Sequence, residues 1–445
     1  PNNPGVGMVA LGEHLRPHGG GVSFGVPVRP CDEDSRGCMD DYLDYDKDEL
    51  AAPEIFSDRA DWIRELYVDF TLPMTGDNEI NFRLGKQQVI WGRTDLFRVL
   101  DIINPVDYSR HNIYDELEDI RIPMWMVKAD FRFGATGPFD DFNFQLVWNF
   151  DKFRPNNLGQ GGSPYVILDA GCFCRGMPYL WDNGGTVANS APFDLYGTLP
   201  GLLAPNFGPQ TIGFRDVELP SWSLGNSQFG IKVEGVIGDF GWSLNAMTYR
   251  SQLPSLRAGH IPVVNPFTGG PAATRDYLIA FDMVLPRINM LGGSIDYYSQ
   301  AIDTVFRVEV AYTEGEEFAN TLERRLFSES DVVRFVIGAD KNVFIRAINK
   351  TRAFLISGQI FGQHILDHEH GQATLGEVGM PDWKVSHIGT LLIKGWWMND
   401  RLSPQIIIAH EFRQGATVVA PSVDWLISDN WQLIGVCHHP DNACS

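Results

Sequence analysis

The sequence predicts an all-β fold, a transmembrane antiparallel up-and-down β-barrel of about 14–16 strands with long extracellular loops. Three observations predict it. Apolar and polar residues alternate over stretches of about ten residues, the length that crosses a bilayer as a tilted strand. The connections between these stretches alternate between short and long. No run of about eighteen apolar residues occurs anywhere, which excludes a spanning helix.

Composition agrees. The 445 residues include 45 glycines and are 12% aromatic but only 20% charged, a balance that suits twisted strands and tight turns better than helices. A hydrophobic content of 44% excludes disorder. Lys and Arg number 35 against 56 Asp and Glu, and the resulting charge of −21 excludes nucleic-acid phosphates as the partner. No Pro/Ser-rich or charged linker divides the chain, so one architecture is expected: residues 1–61 an N-terminal segment with a candidate first strand and an acidic outer loop, 62–438 the barrel, and 439–445 an outer-loop remnant.

The elements follow in order. Val22, Phe24, Val26 and Val28 alternate with Ser23, Gly25 and Pro27, a candidate first strand. Further stretches begin near 63 and 80. In 123–134, Trp125, Val127, Ala129, Phe131 and Phe133 face one way and Lys128, Asp130 and Arg132 the other. In 141–151, Phe142, Phe144, Leu146, Trp148 and Phe150 oppose Asn143, Gln145 and Asn149. Similar stretches begin near 227, 240, 290, 304, 332, 352, 386, 404, 417 and 430, about fourteen in all on the strand-length criterion. The connections 73–78, 135–140, 238–239, 300–303, 340–350, 398–403 and 427–429 read as short, whereas 92–121, 152–226, 251–289, 315–330 and 363–383 read as long. Only Gln414-Gly415 breaks the alternation. Tight turns on a periplasmic rim and long loops on an outer rim give this pattern, and a soluble sandwich does not. Because the stretch near 430 ends on the long-loop side, a closing strand is expected beyond Ser445, for about sixteen by the even-number rule.

Pro1–Gly5 has neither a basic n-region nor an apolar h-region, so any signal peptide is expected to have been removed. Six cysteines, Cys31, Cys38, Cys172, Cys174, Cys437 and Cys444, map to the long-loop side and point to an oxidising compartment. The spacings of Cys31 with Cys38 and of Cys437 with Cys444 allow a local disulfide in each pair. Trp396, Trp397, Trp425 and Trp431 lie at short turns, where indoles mark a bilayer boundary.

The stretch Asn81-Phe82-Arg83-Leu84-Gly85-Lys86-Gln87-Gln88-Val89-Ile90-Trp91-Gly92, followed by Ile103-Asn104-Pro105-Val106-Asp107, Glu116-Leu117 and Pro123-Met124, resembles an outer-membrane barrel family of Gram-negative bacteria known only as a domain of unknown function. The resemblance is close over about 62–134. It rests on Trp-Gly followed by Asn-Pro-x-Asp, and it departs at Arg93, where the family carries an acid, and at Glu118, where it carries a base. The resemblance implies partnership with an RND-type exporter and a periplasmic lipid carrier, and movement of hydrophobic molecules.

From the residues themselves, Arg83, Trp91, Arg93, Asp101, Asp107, Lys128, Asp130 and Arg132 are the candidate lumen and constriction residues. The wider polar face includes Glu65, Asp69, Lys232, Glu234, Asp296, Arg307, Glu309 and Arg334, charges that either line an aqueous path or neutralise one another across strands. Residues 94–103 read as a short helix capped by Thr94 and ended by Asn104-Pro105, with an apolar stripe of Leu96, Phe97, Leu100 and Ile103. That stripe folds inward as a constriction or packs beneath the outer loops, with Asp101 or Asp107 pairing to a basic strand residue. In the acidic stretch 31–49, Asp44, Asp46 and Asp48 resemble the start of a calcium loop but lack its turn glycine, and a solvated loop is the favoured reading. His364, His368 and His370 fit no strict metal motif. Neither His-Glu-x-x-His nor Gly-x-Ser-x-Gly occurs, so no enzyme is expected. The function expected is a porin-like transport barrel in the outer membrane of a Gram-negative bacterium, with lipid and lipopolysaccharide around it. The alternative is an outer-surface structural or adhesion barrel with a closed bore.

Overall fold

The computed structural model of the protein describes residues 63–76, 78–94, 97–107, 117–156, 185–186, 206–207, 213–260, 280–323, 325–373, 376–413 and 415–436. Their dominant feature is one sheet of fourteen strands. These are β1 (Leu66–Pro73), β2 (Glu79–Gln87), β3 (Met124–Arg132), β4 (Asp141–Asn149), β5 (Gln228–Ile237), β6 (Phe240–Arg250), β7 (Arg287–Ser299), β8 (Thr304–Ala319), β9 (Phe327–Val343), β10 (Phe354–Ile365), β11 (Val385–Lys394), β12 (Leu402–Glu411), β13 (Thr417–Ser428) and β14 (Trp431–Val436). Each strand pairs antiparallel with the next. The fourteen alternating stretches correspond to them one for one. Among the described residues β1 and β14 are free edges that do not pair with each other, so the expected closure is not seen there.

Register sets the two faces. Trp242, Ile295, Val308, Ile337 and Ile360 are consecutive partners across five strands and share one face. One residue along, Ser243, Ser294, Glu309, Val336 and Phe361 are consecutive partners on the other. Side chains alternate with a period of two, so a one-residue step exchanges an apolar row for a mixed one.

Two expectations need correction. The connection 315–330 is not a long loop, because β8 and β9 continue through a bulge between Thr313 and Glu316 and only 320–326 joins them. Arg334 pairs with Glu316 just beyond that bulge. The helix expected at 94–103 is also absent among the described residues of that segment. The Thr94 hydroxyl donates to Phe97 O at 2.9 Å, and the amides of Arg93 and Thr94 donate to the Glu309 carboxylate. A partner on a distant strand thus takes the N–H groups that open the segment. Among the described residues the α-helix is α1 (Leu117–Ile120), a single turn. No described helix is long and apolar enough to cross a membrane.

On the long-connection side, Ser255–His260 pairs antiparallel with Ala280–Val284, which pairs parallel with Gly213–Glu218. Arg257 ties this small sheet to Glu317 of β8, with Nε donating at 2.8 Å. The candidate strand at 22–28, Asp44, Asp46, Asp48 and all six cysteines lie outside the described residues.

Candidate functional site

The segment 88–107, between β2 and α1, lies across one face of the sheet, here called inner. Val89, Trp91, Val99, Leu100 and Ile103 form one buried cluster with Met124 and Met126 of β3, Val147 of β4, Met247 and Tyr249 of β6, Met290 of β7, Ala311 of β8 and Val336 of β9. One short stretch touches strands from β3 to β9 only if the sheet curves around it. The described first part of 92–121 is therefore packed on this face of the sheet.

The Asn-Pro-Val-Asp motif is the clamp at the base of this segment. Asn104 is 0% exposed. Its Oδ1 accepts from Val89 N at 2.8 Å, and its Nδ2 donates to Gln87 O at 3.2 Å and to Ile122 O at 2.9 Å. One side-chain amide thus satisfies three backbone groups that leave the ladder where the chain departs from the sheet. Val106 N donates to Asn156 Oδ1 at 2.7 Å and Asp107 N to Ile120 O at 2.8 Å, carrying the clamp to α1.

Trp91, 1% exposed, is the anchor. Its Nε1 donates to Gln145 Oε1 at 2.6 Å, Gln145 Nε2 donates to Asp130 Oδ1 at 2.6 Å, and Asp130 pairs with Lys128 at 3.0 Å. The indole fits because residue 230 is glycine: a Cβ there would stand 2.6 Å from the ring. Gly292 does the same for Leu100, whose Cδ2 would be 2.5 Å from an added Cβ. Glycine weakens a strand interior, and at both positions the compensation is the approach of the segment.

Arg93 is the charged latch. Its guanidinium pairs with Asp296 and stands 3.6 Å from Glu234, which also holds Lys232 at 2.6 Å. Beside it, buried Glu309 receives both backbone amides named above. Asp101 is neutralised within the segment and its return, by Arg121 at 2.8 Å and Arg98 at 3.4 Å. The pairing expected between Asp101 and a basic strand residue is therefore not made.

Of the expected constriction residues, Trp91, Arg93, Asp101, Lys128 and Asp130 belong to this site, and Asp107 to the clamp. Arg83 and Arg132 do not. Arg83 pairs with Asp69 at 2.7 Å and stacks on Tyr67, and Arg132 pairs with Glu79 at 3.0 Å. Arg307 pairs with Asp340 at 2.8 Å. The inner charges named here are therefore paired, across strands for Arg83, Arg132 and Arg307 and along one strand for Lys128 with Asp130 and Lys232 with Glu234. Glu309, seen there only as a polar-face residue, turns out to be central, and Gln145, Gly230, Gly292 and Arg121 were not singled out. The available signals were glycines at inward parity and a lone carboxylate between small and apolar neighbours.

A cavity of about 410 Å³ opens on the long-connection side of the segment, lined among others by Phe97, Arg98, Ile288, Arg334, Phe361 and Gln363. The histidines form no such site. His364 lies in β10, while His368 bonds Asp382 O through Nε2 at 2.6 Å and stacks on His370. Among the described residues no cluster of His, Cys, Asp and Glu is able to hold a metal ion.

In comparisons with known proteins, a family model described as a protein of unknown function, DUF1302, matches residues 25–435. No curated protein matches the chain.

Proposed function

The chain belongs to the DUF1302 family of proteins of unknown function, and on that premise we propose that it is a transport barrel of a Gram-negative outer membrane. In this reading hydrophobic or small amphipathic solutes pass a bore that the segment 88–107 narrows. One observation carries it: the two faces of the same strands are opposite in character. On the outer face Leu244, Leu291, Ile295, Ile337 and Ile360 stand half-exposed or more. On the inner face are the paired charges and the buried segment. A soluble protein rarely leaves so contiguous an apolar area uncovered, whereas a lipid-facing band requires it.

Dimensions support the reading. The 10 residues of β12 rise about 33 Å along the strand, or about 25 Å across a bilayer at a tilt of about 40°, the height of a barrel's apolar band. Exposed Trp125, Trp148 and Trp222 lie toward the long connections, and exposed Phe240, Trp425 and Trp431 toward the short turns. Two such girdles bracket a lipid-facing band. An open edge in hydrocarbon leaves backbone groups unsatisfied, so β1 and β14 close the barrel directly or through additional strands.

The inner ion pairs favour the second reading, an outer-surface scaffold with a closed bore. Planar-bilayer recordings of the intact protein and of a variant lacking 94–103 separate the two. Transport predicts small or gated currents for the intact protein and larger ones for the deletion, with heat-modifiable mobility retained as the sign of a folded barrel. Silence from both, once inserted, refutes transport and leaves the scaffold.

A further inference from the structure

We propose that the cavity above the segment is a binding site for a small amphipathic anion, an aryl or short alkyl carboxylate. The proposal rests on the transport reading and names the solute class for which the inner face is built. At about 410 Å³ the cavity falls in the range of roughly 300–1,000 Å³ typical of small-molecule sites. Its lining combines two chemistries. Phe97 of the segment and Phe361 of β10 are stacked, with ring centroids 5.0 Å apart, and Ile288 and Ala311 add further apolar surface. Arg98 and Arg334, the latter directly opposite Ala311 in the sheet, supply positive charge.

Charge selects the anion. Arg334 is already engaged by Glu316, with Nη2 donating at 2.7 Å, and by Gln363 Oε1 at 2.9 Å. Arg98 donates from Nη2 to Asn104 O at 2.6 Å and reaches Asp101 only at 3.4 Å, and Asp101 is held more closely by Arg121. A guanidinium carries five N–H donors, so Arg98 keeps some for a ligand. Two arginines and one carboxylate, Glu316, face the space, which leaves one positive charge for a carboxylate to match.

Further apolar surface lies along the sheet. Phe361 is paired with Ile388 of β11, and on that same inner face Leu392, Ile407 and Ala420 are consecutive partners across β11 to β13. An apolar ligand tail leaving the cavity along this face meets Ile388 first, then the polar pair Gln359 and Thr390, before the apolar row of Leu392, Ile407 and Ala420.

The test uses the full chain in zwitterionic-lipid nanodiscs, with empty discs as the reference, and isothermal titration with 4-phenylbutyrate and its uncharged counterpart 4-phenylbutanol. The intact protein should bind the acid saturably at one site and at least about tenfold more tightly than the alcohol, the factor expected for hydrogen bonds to a charged group. Phe361→Ala should weaken both ligands, and Arg98→Gln should remove the preference for the acid. No saturable binding above empty discs, or equal affinity for acid and alcohol in the intact protein, overturns the proposal without recourse to a variant. Absent binding with deletion-enhanced currents would refute the cavity alone. Binding without current from any form would refute transport and leave the cavity standing.

Discussion

Replacing Trp91 with alanine should undock the segment while leaving the sheet intact. The indole is fully buried among strands β3 to β6, its Nε1–H is spent on Gln145, and its ring occupies the space that glycine leaves at residue 230. Truncating a buried Trp to Ala costs about 3–5 kcal/mol through lost burial and the cavity left behind. The sheet is held by its own ladders, so this cost falls mainly on docking of the segment. At about 1.4 kcal/mol per tenfold, the undocked population rises by about two to three and a half powers of ten.

Hydrogen exchange read by mass spectrometry on peptides spanning 88–107 measures this directly. Val89 N–H, held by Asn104 Oδ1, should lose protection by that factor, while amides in β7 to β9 keep theirs. Trp91→Phe keeps most of the ring but removes the donor, and should cost about 1–3 kcal/mol, mainly for the unpaired Gln145 oxygen. Unchanged protection of 88–107 in Trp91→Ala would refute the anchoring argument, and equal loss across all strands would show that the segment and the sheet form one cooperative unit.

Two further outcomes test the same architecture. Glu309→Ala strands the amides of Arg93 and Thr94, at about 1–3 kcal/mol for each N–H, so on the proposed transport reading it should raise open-channel probability more than Glu309→Gln, which keeps an acceptor; bilayer recordings check the order. Leu244→Arg, at an exposed outward position opposite Gly293 at the middle of β7, should cost about 2–4 kcal/mol against about 0–1 for Phe344→Arg at the short-turn rim, measured by urea unfolding in lipid vesicles. Equal costs at the two depths would contradict a lipid-facing band.

The strands were legible because each is a repeated local decision. In β4, Phe142, Phe144, Leu146 and Trp148 share one face because successive residues of a strand alternate, and no distant partner is needed to see it. Cross-strand ion pairs such as Asp69 with Arg83 follow almost as directly once hairpins are assumed, because the turn fixes the register. The length of β8 and β9 did not follow. Glu316 and Glu317 read as loop residues until the bulge and the partners Arg334 and Arg257 are known.

The segment escaped a local reading for a different reason. Leu100 and Ile103 fit a helical stripe, but both are fully buried, and Val99, which precedes Leu100 and is not part of that stripe, is buried too. A helix presents one face, whereas this stretch is enclosed on several sides by strands that the chain reaches only later, so 3.6-residue periodicity is no guide to it. Its conformation is dictated by Glu309, whose hydrogen bonds to Arg93 and Thr94 span more than two hundred residues of sequence. Electrostatics follow from the same enclosure. Asp101 lies too deep to remain unpaired, and it is met by Arg121 and Arg98 from its own connection rather than by Lys128 or Arg83, which already hold Asp130 and Asp69. The described residues of the segment therefore carry their own neutralisation on the side of the cavity and meet strand carboxylates at its start, through the Arg93 guanidinium and the amides of Arg93 and Thr94. Its docking is governed by the shape that Gly230 and Gly292 leave open and by the amides that Asn104 and Glu309 satisfy, while charge fixes its orientation at one point.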